Sequence, residues 1–269
     1  MKQPKEYKMA INPKTALAKE IYYYGQGKVS IAEIKSDGTL GNWVFLWDVS
    51  QLNTSADVTN LDHKEAWSGE MSTARSFIIG SEITINMTLF NFNPHNLAIG
   101  MRGENVIKEA GTVTAFELPI VEEGDTIFLD DMGISDLELT DQSSAALGEE
   151  FYTLNPASGE IVFKSLPTPA LTQPFKAAYS HGATITTGLL NAKGKNYALR
   201  YDGVNLAENS APCAAMFYKM SAGMAEQIAL ITSGDALASM NIAGKVLRDS
   251  SKPSDAKYGN FGYYRQLAA

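Results

Sequence analysis

The chain is poor in the side chains that most often do chemistry. One cysteine, Cys213, and three histidines, His63, His95 and His181, are spread over 269 residues. A lone cysteine excludes an internal disulfide, and its neighbours Ala214, Ala215 and Met216 predict a buried thiol. Histidines this far apart argue against a histidine-rich metal site. No run of 18 apolar residues occurs, which argues against a membrane-spanning helix. Residues 1–8 carry three lysines with no apolar stretch behind them, so no secretory leader is expected.

Catalytic signatures are missing too. There is no Walker A loop, nucleophile elbow, HExxH or paired-cysteine pattern. Gly25-Gln26-Gly27 lacks a third glycine and stands before a strand, not between a strand and a helix. Glu122-Glu123-Asp125 and Asp130-Asp131 lack the alternating oxygen ligands of a calcium loop and read as solvated turn acids. His95, near a predicted helix start, reads as a surface or cap residue. No catalytic residue, cofactor or metal ligand is assigned, and the chain is not expected to be an enzyme. The one enzymatic rival is a glycan hydrolase drawing on Asp130, Asp131, Asp136 and Glu138, which needs paired carboxylates about 5–9 Å apart.

Net charge is −8, and it is unevenly spread. Residues 107–190 hold 13 acids and 3 bases, against 11 and 10 before them and 6 and 9 after. The middle therefore carries the whole acidic surplus, and no basic stripe of the kind that grips phosphates is evident. Aromatic clusters at Tyr22-Tyr23-Tyr24, Trp43/Phe45/Trp47 and Tyr263/Tyr264 could stack bases only beside a basic groove. Core or subunit-interface packing is the better reading.

Hydropathy then gives the organisation. Residues 1–26 form an arm interrupted by Pro4 and Pro13. Strands are predicted at 28–34 and 43–49, with a turn at Ser36-Asp37-Gly38-Thr39 between them. Residues 50–76 read as a long polar loop that holds one large ring, Trp67; loops of this length in compact domains usually have a function. Residues 77–90 form the clearest strand. Ile79, Ile83, Ile85, Met87 and Leu89 lie on one face, and Glu82, Thr84, Asn86 and Thr88 on the other. Asn93-Pro94 caps a short helix with Leu97, Ala98 and Met101 on its apolar side and Gly103 at its end. Short strands follow at 113–118, 126–129 and 137–139, then a hairpin of 151–154 with 160–163. Longer strands return at 197–201, 214–220, 226–232 and 239–247. The result is a mainly β domain over 27–269, with an acidic lobe inserted at about 107–190.

Several stretches resemble the tail tube proteins of long-tailed bacteriophages, siphophage type. They are Leu61-Asp62-His63-Lys64-Glu65-Ala66-Trp67-Ser68-Gly69, Ile83-Thr84-Ile85-Asn86-Met87-Thr88-Leu89, and Phe92-Asn93-Pro94-His95-Asn96-Leu97-Ala98 up to Gly103. Phe151-Tyr152-Thr153-Leu154 with Gly159-Glu160-Ile161, Arg200-Tyr201-Asp202-Gly203-Val204-Asn205, and Phe217-Tyr218-Lys219 are similar to further family features. The resemblance covers about 27–103 and 151–247. It implies a β-sandwich or barrel subunit with a long hairpin, a long stacking loop and a flanking helix. Six copies would form a ring, and rings would stack into a hollow, non-contractile tail tube that conducts DNA at genome ejection.

On that basis Glu82, Thr84, Asn86 and Thr88 are expected to line the lumen, with Lys28 and Ser30 from the partner strand. Asn53, Asp57, Asp62, His63, Lys64, Glu65, Trp67 and Arg75 are expected in the inter-ring loop, and Ile83, Ile85, Met87, Leu89 and Leu97 in the core. Implied partners are further copies of the chain, a tape measure protein, tail terminator and distal tail proteins, and double-stranded DNA that passes without tight binding. The implied location is the virion tail, assembled in the host cytoplasm, with no membrane insertion. Rival readings are the tube of a contractile or secretion system and a capsid or decoration protein.

Overall fold

The computed structural model describes residues 20–267 except 236, 253, 254 and 256. The first 19 residues of the expected arm lie outside the described residues. The fold is mainly β, and the chain divides into two compact units, 1–104 with 189–269, and 105–188. Each unit has its own hydrophobic core, where the sequence predicts one domain with an inserted lobe.

The first unit opens with β1 (Gly25–Ile34), β2 (Leu40–Phe45), β3 (Val49–Lys64), β4 (Thr73–Leu89) and helix α1 (Pro94–Gly100). The second unit holds β5 (Asn105–Lys108), β6 (Gly111–Glu117), β7 (Thr126–Phe128), β8 (Ser135–Thr140), β9 (Ala146–Leu147), β10 (Tyr152–Asn155), β11 (Glu160–Phe163), β12 (Lys176–His181) and β13 (Thr184–Thr187). The chain then returns to the first unit with β14 (Asn196–Asn205), β15 (Ala211–Ile228), β16 (Met240–Val246) and β17 (Gly262–Gln266).

In the first unit a single antiparallel sheet runs β2-β1-β14-β15-β16-β4-β3, with β17 paired to the first half of β15. Its inner face follows from two-residue alternation. Val29 and Ile31, Leu199, Met220, Met240 and Ile242, then Ile85, Met87 and Leu89 are all buried there. The predicted core strand is therefore in place, with Ile83 half-buried at its margin. Ile79 departs from the prediction: it is 62% exposed, because β4 has left the sheet by that point.

Helix α1 begins where Asn93-Pro94 predicts. The Asn93 side chain accepts from Asn96 N at 2.8 Å, the usual N-cap bond. Leu97 is not a core residue: it stays half-exposed, and the buried positions are Asn96, Ile99 and Gly100. Asn96 can be buried because its amide donates to Leu46 O and Asn91 O, at 3.1 and 3.0 Å. The left-handed residue after the helix is Arg102, at φ 48, not Gly103, whose N–H donates to Ala98 O. His95 is half-buried, and burial lowers the pKa of its imidazole.

Three strand predictions change. The expected strand at 43–49 is broken at Trp47, which takes a left-handed φ of 64 and separates β2 from β3. The expected strands at 214–220 and 226–232 merge into one bulged strand, β15, which ends at Ile228, so residues 229–232 are not strand. The expected loop at 50–76 is mostly strand: β3 pairs with β4 from Val49↔Leu89 out to Lys64↔Thr73.

The second unit contains the predicted hairpin, β10 and β11, in register from Tyr152↔Phe163 to Asn155↔Glu160. Its core stacks Phe163 on Phe175, with Leu139 and Ile161 fully buried beside them. Asp141 organises the turn after β8. Its carboxylate accepts from Ser143 Oγ and N, Ala145 N and Thr172 N. These bonds, the Ser143 hydroxyl first, hold its pKa down to about 2. The folded value lies below the unfolded value of about 3.9, so this contribution to stability is complete above roughly pH 4 and is lost as pH falls towards 2. Acid titration of near-ultraviolet circular dichroism should therefore show a transition in that window. Asp141→Asn should lower stability at pH 7 and flatten the transition; an identical acid profile in the variant would refute the assignment.

Candidate functional site

The most unusual feature is the far end of the β3–β4 hairpin. Near the sheet, β4 is held on both sides, by β3 and by β16 from Ile83↔Val246 to Leu89↔Met240. Beyond Ile83 it pairs with β3 alone. Residues 57–64 and 73–82 thus form a two-stranded ribbon, about 25 Å long at 3.3 Å per residue. Such a ribbon has no core of its own and is marginal in isolation, so every side chain on it faces water in the free subunit. Val58, Leu61, Phe77, Ile78 and Ile79 nevertheless lie on it, between 49% and 74% exposed. Scattered apolar residues are ordinary on a surface; here Leu61 pairs with Phe77 on one face of the ribbon, and Ile78 projects from the other.

The tip of the ribbon is ordered by one carboxylate. Glu65 is buried, and its oxygens accept from Trp67 N at 3.1 Å, Ser68 N at 3.0 Å, the Ser68 hydroxyl, and Ser72 Oγ at 3.3 Å. The Ser68 hydroxyl bond is the leading cause that lowers its pKa. Gly69 at φ 84 and Met71 at φ 50 complete the turn. The result holds Trp67 outward, 87% exposed.

The eight residues expected in an inter-ring loop are therefore arranged differently from a loop. Asn53, Asp57, Asp62, His63 and Lys64 lie on β3, Arg75 on β4, and Glu65 and Trp67 at the tip. Asp62 accepts from Ser76 Oγ at 2.6 Å, and His63 faces Arg75 across the ribbon. Glu65 is a scaffold for the tip, whereas its neighbours are exposed.

The outer face of the sheet is polar. Glu82 and Asn86 are exposed there, Thr84 and Thr88 half-buried, opposite the buried Ile85 and Met87. Lys28 and Ser30 share this face, but β1 is not the partner strand of β4; β14, β15 and β16 stand between them. Alternation places Lys245, Arg200 and Arg265 on it as well, next to Thr84, Ser30 and Ala214. Each of these four cations is engaged within the subunit. Lys28 Nζ lies 5.8 Å from the Phe45 ring centre, and Arg265 4.6 Å from that of Tyr263. Arg200 binds both oxygens of Asp202, at 2.6 and 2.7 Å. Lys245 Nζ is 2.7 Å from Glu82 Oε1. These partnerships, up to 163 positions apart in the chain, could not be read from the sequence.

The acids of the enzymatic rival are dispersed in role. Asp131 is buried, bonded to Lys108 and to the Tyr179 hydroxyl at 3.1 Å, whereas Asp130, Asp136 and Glu138 are exposed. Among the described residues no group of three or more histidine, cysteine or acidic side chains is placed to hold a metal. Among them, too, no helix is long and apolar enough to cross a membrane.

A family model described as "Protein of unknown function UCP028589" matches residues 22–265. That match spans both units. No curated protein matches the sequence.

Proposed function

The chain belongs to the family of proteins of unknown function UCP028589, and from its geometry we propose that it is a structural subunit of a tube, the tail tube of a long-tailed bacteriophage. Six copies would close a ring, and rings would stack. The observation that carries this reading is the projecting ribbon, with its exposed apolar side chains and its ordered tip at Trp67. A free sheet also presents the edge strands β2 and β3, and edges of that length invite pairing with another chain unless closure removes them. In such a tube the polar face would line the lumen, bringing Glu82, Thr84, Asn86, Thr88, Lys28 and Ser30 to the channel. The partners would be further copies, tape measure, terminator and distal tail proteins, and passing double-stranded DNA.

Negative-stain microscopy of the purified protein at high concentration tests the class. Hollow tubes are the expected outcome. Flat or closed shells would favour a capsid or decoration protein, and discrete particles at every concentration would count against assembly by this chain alone.

The engaged cations support a channel that lets DNA slide. Phosphate binding scales with the cations free to displace counterions, and on this face Lys28, Arg200, Lys245 and Arg265 are already occupied by rings or carboxylates. Freeing two of them, with Asp202→Asn and Glu82→Gln together, should make assembled tubes retain double-stranded DNA at low salt and release it as salt rises. If the double variant binds no more DNA than the parent in a salt-titrated retention assay, the polar face is not the channel wall.

A further inference from the structure

The first unit carries a second exposed apolar surface, on the connection between β15 and β16. These strands pair as far as Ile228↔Met240, and residues 229–239 join them. That is long for a hairpin connection, which usually takes roughly two to five residues. Gly234 turns the chain at φ 91, and the limbs on either side of it hold Leu230, Ile231 and Leu237. Their exposures are 85%, 92% and 77%, each above that of Val58, Leu61, Phe77, Ile78 or Ile79 on the ribbon. Asp235 is the only charged residue between 229 and 239.

Register places this loop and the ribbon at opposite ends of one strand pair. β16 runs against β4 from Ile83↔Val246 to Leu89↔Met240. The ribbon leaves past Ile83, whereas the loop enters at Met240, beside Leu89. The two points are about 20 Å apart at 3.3 Å per residue, and ribbon and loop extend from them in opposite directions. Trp47, 61% exposed, stands at the loop's end of the sheet, just before Val49 pairs with Leu89. Within one subunit the ribbon is therefore turned away from the loop. A second copy, displaced along the strand axis, can bring its loop to the ribbon of the first. Two different surfaces at opposite ends make a heterologous contact, which repeats with every copy added, whereas one self-complementary patch stops at a dimer. The charges agree with this pairing. Lys64 and Arg75 flank the ribbon tip, opposite in sign to Asp235.

We propose that the ribbon of one copy seats on residues 229–239 of the next, with Trp67 packed against Leu230, Ile231 and Leu237. The inference rests on the proposed role of the ribbon as a contact between subunits, and it adds the surface that receives it. Both surfaces lose water only when copies meet, so their hydrophobic stabilisation is realised on assembly and not on folding.

The test places the photo-crosslinking residue p-benzoylphenylalanine at Trp67 in the full chain, illuminated over a concentration series. Crosslinks to residues 229–239 are expected, in dimer and larger bands whose yield rises with concentration. Crosslinks confined to the monomer band, crosslinks to another part of a second copy, or none at any concentration overturn the proposal. Leu230→Asp and Ile231→Asp together, in the chain carrying the same photo-residue, should abolish the crosslinked dimer. Both side chains are exposed, so far-ultraviolet circular dichroism should match the parent's. An undiminished dimer would also overturn the proposal. If the double variant fails to fold, the crosslink map of the parent chain decides. Microscopy of the same samples separates this contact from the tube. Tubes from the double variant would remove the contact and keep the tube, whereas loop crosslinks in assemblies that are not tubular would keep the contact and remove the tube.

Discussion

Replacing residues 58–81 by a two-residue Asn-Gly turn should leave a folded, soluble subunit that no longer assembles. Asp57 and Glu82 are already paired across the ribbon, so a tight hairpin turn can join them without disturbing the register. The segment of β4 that pairs with β16 begins at Ile83 and is untouched. Apart from Glu65, whose hydrogen-bond partners are all removed with it, the large side chains removed are exposed in the free subunit, from Phe77 at 49% to Trp67 at 87%, so their loss costs the monomer little. The melting temperature should move by no more than a few degrees, as for about 1 kcal/mol in a domain of this size. Assembly should respond very differently. Val58, Leu61, Trp67, Phe77, Ile78 and Ile79 together could contribute on the order of 10 kcal/mol once buried against a neighbour, comparable with the whole free energy of a sub-micromolar contact. Sedimentation velocity and microscopy over a concentration series would check this. Tubes of normal abundance from the shortened chain would remove the ribbon from any role in stacking. An insoluble product would instead make the ribbon part of the fold.

How much of this could be read from the sequence depended on whether each position faces two different environments. At residues 82–89 one side of the strand meets packed core and the other meets water, so aliphatic and polar residues alternate, and the faces were legible. The ribbon has water on both sides. Nothing imposes a two-residue hydrophobic period there, and residues 50–64 therefore read as a polar loop although they form β3. Leu52 and Ala56 do mark the inner face, but Thr54 between them weakens the pattern. Strand β15 reads as two strands for another reason: register shifts between Ala222 and Ala225, and again before Ile228, break the period. The buried role of Glu65 was illegible because its partners are backbone N–H groups and serine hydroxyls, which leave no charge pattern. The pairing of Lys245 with Glu82 depends on β16 lying against β4, a fact of topology. Trp67 stands out in the sequence as an isolated ring in a polar stretch, a signal that leaves its backbone conformation open.

The sharpest expected contrast lies between two adjacent positions of β4. Ile85→Asp should abolish folding, and Thr84→Asp should be tolerated. Ile85 has no exposed surface, and its Cα faces Gly244 on one neighbouring strand and Thr54 on the other. Removing its side chain forfeits about 1.5–3 kcal/mol of burial, and a carboxylate placed in this apolar cluster adds a desolvation cost of several kcal/mol. Those two terms together approach the 5–15 kcal/mol that holds a typical domain folded. Thr84 is turned to the polar face, directly across from Lys245, whose ammonium is exposed and already pairs with Glu82. A carboxylate there meets water and a nearby cation, so the change in stability should stay within about 0.5 kcal/mol. Soluble yield and far-ultraviolet circular dichroism of the two variants, prepared side by side, distinguish the cases. A folded Ile85→Asp, or an unfolded Thr84→Asp, would reverse the assignment of the faces. It would also undo the placement of Glu82, Asn86 and Thr88 on the water side, because a one-residue slip moves every side chain of a strand to the opposite face.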